Sequence, residues 1–378
     1  MPEKKLLYVC YMNLNSSGTI GIKNKIINQI KAMEDSGIRV CYIWPEGKHI
    51  NSNMGENAFS DFSNVDRAAL SIADDFDAAY IRLNCTVSAS QLLLIQKLKK
   101  RGAKVLFEVP TYPFDGEIIG SIKNDIKKGK KRKAYKAAKK FVKYKIRSLQ
   151  VHKYVDRVVT YSDDKRIWGI KTINIQNGVN ADDVRISNRK SQAQEMHAIC
   201  VSSCAYWHGY DRFIAGLGKY YETPHDVDVY LDVVGDGGAI VEYKYLSQKY
   251  NIEDKVLFHG KLCGDELEAI YDQADIALDA MGRHRSGVKY NSSLKGKEYL
   301  AKGLPIVSGV RTELDKAEDF PFYYRVPAND SPINIGEVLE FYKKILEIPY
   351  YKITIREYAE KYFSFEYTLR NVISYICE

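Results

Sequence analysis

The sequence predicts an α/β protein of two domains, each a mostly parallel sheet covered by helices on both faces. Three observations lead there. The chain has 378 residues, too many for one ordinary core and suited to two domains of roughly 150–200 residues each. Short apolar runs alternate with stretches of helical period through short loops, the pattern of doubly wound parallel sheets. Past a polar stretch at 178–195 that lacks an apolar period, the alternation begins again.

Taken in order, "KKLLYVCYM" reads as a strand, "NSSGTIG" as a polar loop and "IKNKIINQIKAMEDSG" as a helix closed by Gly37. "IRVCYIWP", "AAYIRL" and "KVLFEVP" are further strands, with the helix "ASQLLLIQKLKKRG" between the last two. "VDRVVTYS" follows a basic segment, and "INIQNGVN" closes the first half. The second half opens with the strand "MHAICVSSC" and the helix "GYDRFIAGLGKYYE". The strand "VDVYLDVVGDGG" runs into a glycine turn before the helix "AIVEYKYLSQKY". "KVLFHG" and "DIALDAM" are strands around the helix "CGDELEAIYDQA"; a short helix from Leu294 leads to "LPIVSG". One final helix is expected over about 352–377. The domains are thus 1–180, 181–351 and a C-terminal helix, 352–378.

Composition excludes several classes. No apolar run approaches the ~20 residues of a membrane span, and the N-terminus lacks the apolar core of a signal peptide. The seven cysteines are scattered without zinc spacing, which fits reduced thiols in a cytoplasmic protein. The net charge of +8 is uneven: Lys123 to Arg147 holds thirteen Lys or Arg against one acid, Asp125. A solvated helix face is one reading of this segment; an anionic surface, such as a membrane met by residues 121–150, is the other. Nucleic acid is not expected, because no recognition signature accompanies the run.

Ligands of doubly wound sheets bind beyond the carboxyl ends of strands. That directs attention to the loops at Asn13–Gly21, Pro110–Glu117, Ser202–Gly209, Gly235–Gly238 and Met281–Ser293. The last holds Arg283, His284, Arg285 and Lys289, and its exit Asn291-Ser292-Ser293 opens a helix. A helix N-terminus with hydroxyls and Lys295 one residue inside suits a diphosphate; N-capping serines are the plainer reading. Gly296 costs the helix about 1 kcal/mol against alanine, so close approach by a ligand or neighbour is expected. Glu298 shares a face with Leu294 and Ala301 and needs partners there: a ribose diol, or a salt bridge such as Lys302 at i+4. "VVGDGG" is only a fragment of a dinucleotide fingerprint, no G-x-S-x-G elbow occurs, and no D-x-D pair sits in a metal-binding loop.

At this point the residues carry a resemblance. "NGVN", "HGYDRFIAGL", "VVGDGG", "VLFHGKLCGDELEAIYDQADIAL" and "SSLKGKEYLAKGLPIV" run in order over about 130 residues and resemble retaining glycosyltransferases of family 4. "FEVPTYPFDGE" is similar to a block found in a bacterial polysaccharide-synthesis subset. The resemblance implies the GT-B fold: two Rossmann-like doubly wound domains facing across a cleft, with the C-terminal helix crossing back to the first. It implies a donor nucleotide-diphosphate sugar, UDP favoured over GDP, with no cofactor or metal. The acceptor would be a saccharide or a polyprenyl-linked saccharide, met at the inner face of the cell membrane. Glu298 falls on the glutamate that holds the ribose and Lys295 on a lysine found in some members. Tyr290 stands where a sugar-contacting glutamate is usual. Ser203 and His208 stand where an Arg and a Lys usually bind the diphosphate, so Arg283, Arg285, Lys289 and Lys295 are expected to supply that charge. Asn291, Ser292, Ser293, His284 and Gly18 complete the donor set; Tyr112, Phe114, Asp115 and Glu117 form the acceptor set. No catalytic residue is assigned. A nucleotide-sugar isomerase and a silent binding protein on the same fold are the alternatives.

Overall fold

The computed structural model describes residues 3–15, 19–47, 49–55, 58–60, 62, 64–82, 87–192 and 194–378. The chain forms two compact units, Met1–Gly178 with Phe365–Glu378, and Val179–Ser364.

The first unit is built on strands β1 (Lys4–Cys10), β2 (Ile38–Glu46), β3 (His49–Ser52), β4 (Ala78–Arg82), β5 (Lys104–Val109), β6 (Arg157–Thr160), β7 (Arg166–Ile167) and β8 (Ile170–Asn174). Helices α1 (Ile20–Asp35), α2 (Val65–Ile72), α3 (Ala89–Lys100), α4 (Asp115–Lys127) and α5 (Lys131–Val151) connect them. The strand order is β3-β2-β1-β4-β5-β6-β8-β7, with only β3 and β7 antiparallel to their neighbours. Alternate residues of β1 serve opposite faces: Leu7 and Val9 join one core, Leu6, Tyr8 and Cys10 the other. A strand covered on both sides must be apolar throughout, which is why these runs do not alternate with polar residues.

The second unit contains β9 (Glu195–Val201), β10 (Asp228–Val234), β11 (Val256–Gly260), β12 (Ile276–Leu278), β13 (Ile306–Ser308) and β14 (Tyr323–Arg325). Its helices are α6 (Asp211–Tyr221), α7 (Ile240–Lys249), α8 (Gly264–Tyr271), α9 (Leu294–Ala301), α10 (Ile335–Leu346) and α11 (Tyr351–Phe363); α12 (Phe365–Cys377) follows. The sheet is wholly parallel in the order β11-β10-β9-β12-β13-β14.

Two expectations need correction. The C-terminal segment is two helices, broken where Ser364 turns extended (φ −60°, ψ 153°). Ile355, Ala359 and Phe363 bury one face of α11 in the second unit, against α9, so only Phe365–Glu378 groups with the first. The basic segment, in turn, is a helical hairpin rather than one solvated helix. Gly129 takes φ +73° in its turn, and Ala134, Tyr144, Ser148 and Val151 of α5 are buried. The six described cysteines are free.

Candidate functional site

In the second sheet the strand order reverses between β9 and β12, and the loops leaving these two strands meet at that point. The Met281 N–H donates to the His208 carbonyl at 2.7 Å. Gly209, at φ +71°, lies so near Gly282 that a Cβ would stand 2.4 Å from the Gly282 nitrogen. Only glycine meets both demands. Gly235, at φ +121°, locks the loop after β10 onto the Ser202 carbonyl in the same way.

Helix α9 begins at this edge. The Ser293 hydroxyl accepts from the Gly296 N–H at 2.9 Å and donates to Asp279 Oδ2 at 2.9 Å. Ser293 is therefore a cap whose hydroxyl is already engaged, and Asp279 occupies the positive end of the helix. Gly296 is small for this cap: a Cβ there would lie 2.8 Å from Ser293 Oγ, so the cap, not a ligand, makes the close approach.

Beside the cap stands a cationic cluster. Lys295 is half-buried and forms no hydrogen bond or ion pair among the described residues. Burial lowers its pKa; Asp279 opposes the shift and Arg283 adds to it. His208 is buried, and its Nδ1 accepts from the Ala205 N–H at 3.0 Å. Burial first, then Lys295 and Arg283, push its pKa well below the ordinary histidine value. The imidazole is thus neutral with its proton on Nε2, a donor. Arg283 is buried next to both.

Glu298 lies one turn beyond Lys295. Its Oε1 accepts from the Tyr271 hydroxyl at 3.2 Å, and burial raises its pKa against the pull of Lys302. Oε2 makes no hydrogen bond among the described residues and remains an open acceptor. The i+4 pair with Lys302 does not form; the Lys302 ammonium grips both oxygens of Glu268, at 2.6 and 2.8 Å.

Other residues of the expected donor set are engaged elsewhere. Arg285 makes a bidentate pair with Asp211 at 2.8 and 2.6 Å, meets Asp330 at 2.7 Å and the Tyr206 carbonyl at 2.9 Å. It is a brace between loops, with its charge matched. His284 joins Asp330 through Nε2 at 3.1 Å. Lys289 and His284 line a separate cavity of about 290 Å³ with Arg311 and Arg325, and Lys295 does not border it. Tyr290 pairs with Arg311 as an isolated bridge, and the Asn291 N–H donates to the Arg311 carbonyl at 2.9 Å. Ser292 is buried, and Ser203 is exposed. Gly18 lies outside the described residues.

In the first unit the expected acceptor residues do not form one surface. Phe114 is buried in the core with its ring 5.2 Å from that of Tyr144, because it immediately precedes α4 and packs under the hairpin. Asp115 pairs with Lys145. Tyr112 is half-buried, and Glu117 stands in the first turn of α4. Near the ends of β4 and β5 lies an ionic network centred on Glu108 that sequence reasoning missed. Glu108, fully buried, meets Arg82, Lys25 at 3.2 Å and the Tyr80 hydroxyl at 2.6 Å. Gln29 links it to Tyr8 and Tyr161. Sequence reasoning also missed Asp279 and Tyr271, which hold Ser293 and Glu298. The one signal for Asp279 was an acid at the end of the strand "DIALDAM".

Two doubly wound units, each built on a mostly parallel sheet, match the architecture of GT-B proteins. The fold is GT-B. Residues 184–308, within the second unit, match the family model described as glycosyl transferases group 1. Among solved structures, the chain is similar to a glycosyltransferase from Rickettsia africae ESF-5 (15% identity, TM-score 0.63, 100% of each chain covered). It is similar to sucrose-phosphate synthase from Thermosynechococcus elongatus (15%, 0.62, 99% of this chain and 98% of that). It is also similar to Anabaena Alr3699/HepE in complex with UDP (12%, 0.58, 99% of each). At these identities the likeness is one of fold. No curated protein matches the sequence.

Proposed function

We propose that the protein is a retaining glycosyltransferase that moves a sugar from a nucleotide-diphosphate donor, UDP favoured, to a saccharide or lipid-linked saccharide in bacterial surface polysaccharide synthesis. The single observation that carries the reading is Lys295. It is a half-buried ammonium without a partner, beside Arg283 and a neutral His208, one turn from the open Oε2 of Glu298. An unmatched charge in a desolvated place costs stability unless a ligand completes it. A nucleoside diphosphate supplies both halves of what is missing: an anion for Lys295, Arg283 and the Nε2–H of His208, and a ribose diol for Glu298. The group 1 domain match over 184–308 and the UDP complex of a protein with this fold support the choice of donor.

In this reading the bond from the sugar anomeric carbon to the diphosphate oxygen breaks, and the acceptor oxygen attacks from the face the diphosphate leaves. The diphosphate carries away the electron pair, and the acceptor's proton passes to it. Lys295 and Arg283 neutralise the charge that develops on the leaving group, in place of a metal ion, and His208 donates without competing for the proton. The enzyme works on the inner face of the cell membrane, which residues 121–150 contact. Incubation with UDP-, GDP- and ADP-sugars, alone and with saccharide acceptors, tests this. Sugar transfer with retained anomeric configuration is the expected result. Rearrangement of the donor without an acceptor would replace the proposal with an isomerase, and binding without turnover would replace it with a silent receptor.

A further inference from the structure

The α4–α5 hairpin presents a surface that neither the fold nor the donor site uses. Helix α5 has two apolar sides. At 100° per residue, the buried Ala134, Tyr144, Ser148 and Val151 fall on the side that faces the core. Tyr135, Val142, Ile146 and Leu149 fall within about 60° of one another on the other side, and they are 69%, 57%, 58% and 72% exposed. They form a stripe roughly 20 Å long at 1.5 Å per residue. Toward α4 the apolar surface continues: Ile122 and Ile126 of α4 with Ala134, Tyr135 and Ala138 of α5 line an open groove of about 310 Å³.

Lys139, Lys143 and Lys136 lie along one flank of the stripe, roughly 40° to 100° from Tyr135, and all three are exposed. Helix α5 contains no acid. Of the thirteen basic residues from Lys123 to Arg147, only Lys133 and Lys145 form ion pairs among the described residues, with Asp125 and Asp115. The hairpin thus joins an uncovered apolar ridge to a strong unbalanced positive field. Two copies of this face would repel each other, and nucleic acid offers nothing to an isoleucine-leucine ridge. No described helix is long and apolar enough to cross a membrane, so any lipid contact through this hairpin is along the surface.

We infer that the hairpin docks on an anionic lipid bilayer, with Tyr135, Val142, Ile146 and Leu149 inserted among the acyl chains and the Lys139–Lys143 flank on the headgroups. The inference rests on the proposed function for its setting, a lipid-linked acceptor, but not for its chemistry. It deepens that reading by naming the inserted edge.

Sedimentation with vesicles of phosphatidylcholine alone, and with 30% phosphatidylglycerol, at low and high salt, is the test. The full chain should bind the anionic vesicles, bind neutral ones at least tenfold more weakly, and lose about tenfold or more of its affinity at high salt. A Val142→Ser/Ile146→Ser/Leu149→Ser variant should bind anionic vesicles at least tenfold more weakly, with unchanged melting temperature and unchanged UDP affinity. A Lys136→Gln/Lys139→Gln/Lys143→Gln variant should lose a similar factor and most of the salt dependence. Equal binding to both vesicle types, no binding to either, or wild-type binding by the serine variant would each overturn the inference. So would a dimer in solution that the serine variant abolishes, since the stripe would then serve a second copy. UDP titration of the same samples separates the two claims: vesicle binding can fail while the donor reading stands, and the reverse.

Discussion

Both units bury charge near the carboxyl edge of a sheet, but they finish it differently. In the first, Glu108 collects Arg82, Lys25, Tyr80 and Gln29, so its two oxygens are fully used. In the second, Lys295 lacks a partner among the described residues, His208 offers a free Nε2–H, and Glu298 keeps one oxygen open. Burial alone therefore does not mark a site. A carboxylate whose oxygens are all taken specifies structure; charges and acceptors left open on the same kind of sheet edge ask for a ligand.

Mutations should separate the two regions cleanly. The largest effect is expected at Glu108. Glu108→Ala leaves two cations buried without their anion and should cost about 3–5 kcal/mol, read as a fall of roughly 10 °C in the melting temperature of the first unit. A shift within 2 °C would mean that the network contributes little. Lys295→Ala should do the opposite: stability unchanged or slightly raised, because an unpaired desolvated cation is gone, and UDP affinity lower by about 1.5–3 kcal/mol, ten- to a hundredfold. Lost stability with intact affinity would make Lys295 a packing residue. Glu298→Gln should weaken UDP and uridine alike by about tenfold, since it touches the ribose and not the phosphates.

Smaller are the effects of pH, and at both ends of the scale they make stability rise with pH. Burial raises the Glu108 pKa, but Arg82 and Lys25 more than offset it and hold it at about 2. The unfolded chain binds that proton first, so the network's stabilisation is present above the ordinary glutamate pKa and lost as pH falls from there toward 2. His208 is also depressed, by burial and then by Lys295 and Arg283. The unfolded histidine takes a proton below about pH 6.5 that the folded one refuses, so acidification costs stability there too. Lys295 is lowered as well. Free-protein stability should rise with pH between its lowered value and the ordinary lysine range, while UDP affinity falls as the ammonium is lost. UDP affinity that is flat through the alkaline limb would remove Lys295 from the anion site.

Much of this was legible in the sequence, and the rest depended on distance. The parallel sheets, the second unit's strand order of events and the helix with Lys295 and Glu298 one turn apart follow from local period and turn residues. Ser293 as a cap was readable from its place before Leu294. What could not be read were partners far along the chain. Arg285 looked available until Asp211, 74 residues away, claimed it. Lys302 looked paired to Glu298 until Glu268 took it. Phe114 looked like part of a binding loop, but the hairpin that follows buries it. The short strands β3, β7 and β14 have too few residues to show a period. On α5, counting charges found the basic flank, and only the packed structure distinguishes the apolar side that faces the core from the one left open.

The most direct measurement is calorimetric titration of UDP and of uridine into the wild-type protein and into Lys295→Ala, with melting temperatures taken on the same samples. The account predicts that Lys295→Ala reduces the ratio of UDP to uridine affinity at least tenfold while uridine binding and the melting temperature stay at wild-type values. An unchanged ratio in a folded Lys295→Ala protein would contradict it.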